Sequence, residues 1–134
     1  MISFDGEIKD VTPPNYFEGP YVFKKDDKFY MTYSDGKAID STYKIRYSIS
    51  NSPLGPWEEG KNSPIAITDA EKEVFGPGHN SIFKENDQYY ILYHQIYPQE
   101  KDFVLRQLRL DSLNFDGQGN IEKIPYKGVK AFAN

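Results

Sequence analysis

The sequence has no cysteine, two histidines and a single tryptophan in 134 residues. Without cysteine there are no disulfides, no thiolate metal sites and no cysteine nucleophile, and the redox compartment stays open. The two histidines, His79 and His94, lack the close spacing of a zinc site. No apolar run approaches the ~20 residues of a membrane span, and no charged-then-apolar leader opens the chain. No membrane partner is therefore expected, and the localisation is left unassigned. Sixteen Lys and Arg face twenty Asp and Glu, a net charge of −4 with no basic stretch. That balance argues against nucleic acid as a partner, because phosphate binding needs clustered cations. The ten glycines are scattered through turns rather than gathered in a phosphate-cradling loop, and no Gly-x-Ser-x-Gly elbow occurs. What is abundant is aromatic: 11 Tyr, 9 Phe and the one Trp make 16% of the chain.

The aromatics sit in a repeat. The stretch from Val22 to Tyr33 matches that from Ile82 to Tyr93 at an offset of 60, with Phe23/Phe83, Lys24/Lys84, Asp27/Asp87, Tyr30/Tyr90 and Tyr33/Tyr93 identical. Each copy reads as strand, polar turn, strand, since Asp and Asn in the turns satisfy local backbone groups and tolerate turn conformations. At the same offset Tyr43–Ser50 lies over Phe103–Leu110, with Arg46 over Arg106. A further short strand is expected near Pro64–Ile67 and near Ile121–Ile124. No segment carries a long 3.6-residue periodicity. The chain is thus read as all-β: about two four-stranded blades of a propeller, in a single partial domain over 1–134, with repeats at roughly 18–70 and 78–126. An antiparallel sandwich is the other arrangement the pattern allows.

The residues that open each repeat are the candidates for chemistry. Tyr16-Phe17-Glu18-Gly19-Pro20-Tyr21 precedes the first hairpin and Phe75-Gly76-Pro77-Gly78-His79-Asn80-Ser81 the second, so an acid and an imidazole fall at nearly equivalent places. In a propeller the entrance of each innermost strand faces the central channel. A glutamate flanked there by Tyr16, Phe17 and Tyr21 is expected to be desolvated, which favours the protonated form a general acid needs. A solvated turn residue, and a structural histidine, are the ordinary alternatives for Glu18 and His79.

Phe17-Glu18-Gly19-Pro20 with the Tyr-rich hairpin ending Tyr33-Ser34 resembles the general-acid segment of glycoside hydrolase family 43. Ser52-Pro53-Leu54-Gly55-Pro56-Trp57, Gly76-Pro77-Gly78-His79-Asn80-Ser81 and Tyr89-Tyr90-Ile91-Leu92-Tyr93-His94 resemble the family's following segments in order, from about Tyr16 to Gly117. The resemblance implies a five-bladed β-propeller of the β-xylosidase, α-L-arabinofuranosidase and arabinanase kind, represented here by its C-terminal portion. It implies inverting hydrolysis of plant pentosans such as xylan, arabinoxylan or arabinan, with Glu18 as general acid. It also implies that His79 lies near the sugar or a central cation site, and that Arg106 contacts substrate or base. No cofactor is required, and calcium at the channel centre is the one the resemblance allows.

In the family the general base and a further aspartate that tunes the acid lie upstream of the Glu-Gly-Pro segment. Asp5, Glu7 and Asp10 are the only acidic residues before Glu18, and none has the apolar context of an inner strand. The chain alone is therefore expected to lack the base, and to self-associate or pair with a missing N-terminal half. At the 60-residue period a five-bladed ring needs about 300 residues. The partner expected from the resemblance is an oligosaccharide or polysaccharide, with Trp57 and Tyr97 as aromatics able to stack on a sugar face. A non-catalytic carbohydrate-binding module and a truncated propeller remnant are the competing readings.

Overall fold

A computed structural model describes residues 6–97 and 105–128. The described residues form seven strands: β1 Glu18–Lys25, β2 Lys28–Asp35, β3 Lys44–Ser50, β4 Glu58–Glu59, β5 Gly78–Glu85, β6 Gln88–Ile96 and β7 Arg106–Leu113. They make two antiparallel sheets, ordered β1-β2-β3-β4 and β5-β6-β7, so each sheet is a meander that runs from its first strand outward. One short 3₁₀ turn, Ala70–Lys72, lies in the connection between them.

Both hairpins turn where the aspartates and asparagine predict. Lys25 pairs with Lys28 and Glu85 with Gln88, leaving two-residue loops. Asn86 and Asp87 both take positive φ (47° and 64°), the backbone that matches strand twist in such a loop. The first strands also share an irregularity. Register slips between Glu18 and Tyr21 in one sheet and between Gly78 and Ser81 in the other. Gly19 (φ 62°) and His79 (φ 51°) occupy the same place in these bulges. A bulge re-aims the side chains beside it, and here it does so at the inner end of both sheets.

One core joins the sheets. Tyr30, Ile45, Tyr47 and Ile65 from the first unit pack with Ile82, Ile91, Tyr93, Leu113, Ile121 and Ile124 from the second. The stacked pair Phe23–Tyr30 (5.2 Å between ring centroids) is closed over by Tyr89 and Phe115. Its repeat mate Phe83–Tyr90 is stacked in the same way at 5.3 Å, yet Phe83 is 40% exposed. On the other face of the first sheet, Met31, Tyr33 and Trp57 form a smaller cluster with Val11 and Phe29.

Two sequence expectations change. The third strand does not follow the offset of 60: Tyr33 pairs with Arg46, whereas its mate Tyr93 pairs with Arg109. Tyr33 and Arg46 lie 13 residues apart along the chain and Tyr93 and Arg109 lie 16 apart, so Arg109, not Arg106, is the mate of Arg46. Arg46 ties its own blade together through Asp35 (2.8 Å) and Glu59 (2.6 Å). The segment near Ile121 also adds no strand to β7. Ile121 bridges Phe115, and Ile124 N–H donates to Ile65 O at 2.9 Å, so this stretch crosses to the first unit. Near Pro64, likewise, the fourth strand of the first sheet is Glu58–Glu59, while Ala66 only bridges Ile45.

Candidate active site

Glu18 opens β1 opposite Ser34, at the end of the sheet away from the hairpin turn. Gly78 opens β5 opposite His94 at the equivalent end, and Arg106 opens β7 opposite Ile96. The fold thus brings Glu18, His79 and Arg106 to one end of the two sheets. It adds three residues that the sequence did not single out for the site: Ser34, Tyr43 and His94.

Tyr43 is the buried partner of Glu18. Its hydroxyl donates to Glu18 Oε1 at 2.6 Å, and its ring is fully buried. Glu18 Oε2 takes no hydrogen bond from any described residue. Tyr43 follows a tight turn in which Asp40 accepts from the backbone N–H of Thr42, and Gly36 (φ 88°) is packed against the Thr42 carbonyl. That turn sets the phenol just ahead of β3. Burial, together with the bond to the Glu18 carboxylate, pushes the Tyr43 hydroxyl up to about 12, so it remains a donor across the physiological range.

The rings of Tyr43 and His79 both lie against His94, with centroids 5.8 Å and 6.0 Å away and planes 12° and 24° from parallel. Burial holds His94 down to about 4, with the Arg106 guanidinium and His79 acting in the same direction. His94 is therefore neutral at pH 7, and its Nδ1 is buried with no hydrogen-bond partner among the described residues. His79 itself is exposed, with its imidazole against the Gly19 backbone. A Cβ on Gly19 would sit 3.3 Å from His79 Cγ. The left-handed backbone of His79 is strained for a residue with a side chain, and the bond from its N–H to Ser34 Oγ (2.8 Å) helps to hold it there.

The dry aromatic collar expected around Glu18 is absent. Phe17 is 61% exposed, Tyr16 packs on Tyr33, and Tyr21 donates its hydroxyl to Ile82 O on the second sheet. The group that meets the carboxylate is Tyr43, 25 residues away. Arg106 is exposed and donates to the Ala38 carbonyl in the turn that presents Tyr43. Phe103 and Val104, which precede it in the motif, lie outside the described residues. Trp57 is only 8% exposed against Met31 and Tyr33, and offers no open face to a sugar. Asp10 is engaged locally, accepting from the Thr12 N–H and hydroxyl, and Asp5 lies outside the described residues.

No group of three or more His, Asp or Glu is gathered among the described residues, and His79 is the single ligand the sequence suggested. No helix is long and apolar enough to cross a membrane.

Two four- and three-stranded meanders, packed face to face with their first strands side by side, are successive blades of a β-propeller, with a carboxylate, two imidazoles and a guanidinium at one end. The chain belongs to the glycosyl hydrolases of family 43, whose family model matches residues 1–121. It is 33% identical over 122 residues to a beta-D-galactofuranosidase of Aspergillus niger, covering 90% of this chain and 35% of that protein. It is 27% identical to a xylosidase/arabinosidase of Bacteroides ovatus, covering 87% of this chain and 33% of the relative. The crystal structure of a thermostable family-43 glycoside hydrolase superposes with a TM-score of 0.70 at 32% identity, over 87% of this chain and 37% of that one. The chain thus spans about a third of the length of these relatives.

Proposed function

We propose that this chain carries the general-acid side of a family-43 glycosidase that hydrolyses pentose-containing plant polysaccharides such as xylan, arabinoxylan or arabinan. The observation that carries the reading is the carboxylate of Glu18 at the inner end of β1, held at one oxygen by Tyr43 and bare at the other, beside His79, His94 and Arg106. Glu18 donates a proton to the glycosidic oxygen as the anomeric C–O bond breaks toward that oxygen. Water adds to the opposite face of the sugar and gives its proton to a carboxylate ~6.5–9.5 Å from the acid. That base comes from outside the described residues. Arg106 supplies fixed donors for sugar hydroxyls, and the exposed imidazole of His79 lines the same end. A cation at the centre would take most of its ligands from elsewhere.

The relatives named for xylosidase, arabinosidase and galactofuranosidase activity support a sugar substrate. The half-covered Phe83–Tyr90 pair, together with Leu108 at 71% exposure, is an apolar face through which the chain associates with itself or with further blades.

The test uses xylo-, arabino- and galactofurano-oligosaccharides, whose leaving groups need a proton, on the chain alone and on a ring completed with the remaining two thirds of a relative. Turnover that Glu18→Gln abolishes supports the enzyme. Oligosaccharide binding without turnover, indifferent to Glu18→Gln, supports the carbohydrate-binding module instead.

A further inference from the structure

We infer that Tyr43 is the positioning residue of the acid, its hydroxyl holding Glu18 Oε1 so that the transferable proton is carried on Oε2. The inference rests on Glu18 being the acid. It follows from the one hydrogen bond that the carboxylate takes from the described residues and from the burial of its donor. The Tyr43 hydroxyl donates to Glu18 Oε1 at 2.6 Å, and its ring is fully buried. A proton on Oε1 would face that hydrogen, so the acid proton belongs on Oε2, the oxygen to which no described residue donates a hydrogen bond.

The donor is also rigidly held. Ser34 and Tyr43 are both fully buried, the phenol ring lies against His94, and the space beside it is closed by the Gly78 backbone. During the reaction the Oε2–H bond breaks, a new O–H bond forms on the leaving oxygen, and Glu18 is left as a carboxylate. A donor already aimed at Oε1 stabilises that charge without reorganising. Tyr43 does not itself give up a proton, since its hydroxyl ionises only far into the alkaline range.

The first arm of the test needs no turnover. With tyrosine labelled at the ring Cζ, the Tyr43 hydroxyl is titrated by NMR in the chain and in Glu18→Gln. Loss of the carboxylate charge is expected to move the Tyr43 titration to lower pH, and an unchanged titration overturns the inference. Should Glu18→Gln unfold, Glu18→Ala is the second variant, expected to move the same titration in the same direction.

The second arm is kinetic. In the ring-completed protein, Tyr43→Phe keeps the ring and is expected to lower kcat on xylo- or arabino-oligosaccharides roughly 100-fold with little change in KM. On 2,4-dinitrophenyl glycosides, whose leaving group needs no proton, kcat should barely move. Equal losses on both substrates would mark a merely structural residue and overturn the inference. If Glu18→Gln shifts the Tyr43 titration yet leaves turnover intact, the hydrogen bond stands and the assignment of Glu18 as acid fails. If Glu18→Gln abolishes turnover and Tyr43→Phe has no effect, the acid stands and the role of Tyr43 fails.

Discussion

A single methyl group at position 78 should undo the arrangement around Glu18. A Cβ built on Gly78 lies 1.8 Å from Tyr43 Cε1, 2.3 Å from Cδ1 and 2.7 Å from Cζ, where ordinary contacts begin near 3.4 Å. The backbone of Gly78 is no obstacle to alanine, because its φ is not in the left-handed region. The obstacle is the ring, which is fully buried, lies against His94 and is tied through its hydroxyl to Glu18. Forcing a methyl group into such packing costs ~1–3 kcal/mol. Breaking a hydrogen bond to a carboxylate adds ~1.5–3 kcal/mol. Gly78→Ala is therefore expected to destabilise the chain by about 2.5–6 kcal/mol, depending on how far the ring escapes. Gly117→Ala is the control, since a Cβ there meets nothing within 4 Å. Urea unfolding followed through the buried Trp57 reads both variants, the midpoint falling at constant slope for the first and staying put for the second. Adding Tyr43→Phe to Gly78→Ala should then cost less than it does in the unaltered chain, because the hydroxyl has already lost its partner. A Gly78→Ala midpoint equal to that of Gly117→Ala refutes the packing described here.

Three further outcomes are expected. Tyr93→Phe leaves the fully buried Asp111 without the hydroxyl that donates to its Oδ2 at 2.8 Å, with only the Gly128 N–H remaining among the described residues, and should cost ~1.5–3 kcal/mol by urea unfolding. His94, held down to about 4 from an ordinary 6.5, takes up a proton in the unfolded chain before it does in the folded one. Its contribution, on the order of 2 kcal/mol after allowance for partial exposure, is complete above pH 6.5 and is lost as the pH falls toward 4. In His94→Gln that share of the acid-side loss should vanish from the urea midpoints. Light scattering at micromolar concentration should show association that Phe83→Lys and Leu108→Lys weaken, and a sharp monomeric mass for the unaltered chain would contradict it.

The hairpins, their turns and the place of Glu18 were legible because they depend on local pattern: alternating aromatics, Asp/Asn in two-residue loops, and Gly-Pro ahead of each first strand. The third strand was misaligned because a longer loop precedes β7, and an offset taken from the hairpins carries no information about loop length. Arg46 and Arg106 were paired on that basis, whereas the register joins Arg46 with Arg109. The site was half legible. Glu18 and His79 lie at one end of the two sheets, but the neighbours of Glu18 in sequence are not its neighbours in space, and Tyr43 comes from a separate turn. One sign was present: glycine stands at position 78 where the first copy has Glu18. A residue without a side chain opposite a functional one marks space taken by something else, here the Tyr43 ring. The spacing of His94 from His79 carries no metal signal in the sequence, whereas its place in β6 opposite Gly78 is what brings it to the site.

The most direct test of the central claim is the leaving-group dependence of Glu18→Gln in the ring-completed protein. A general acid at this position predicts a fall of about 100-fold or more on natural oligosaccharides, and near-normal turnover of 2,4-dinitrophenyl glycosides that leave unprotonated. An equal loss on both substrates, or none on either, would contradict it.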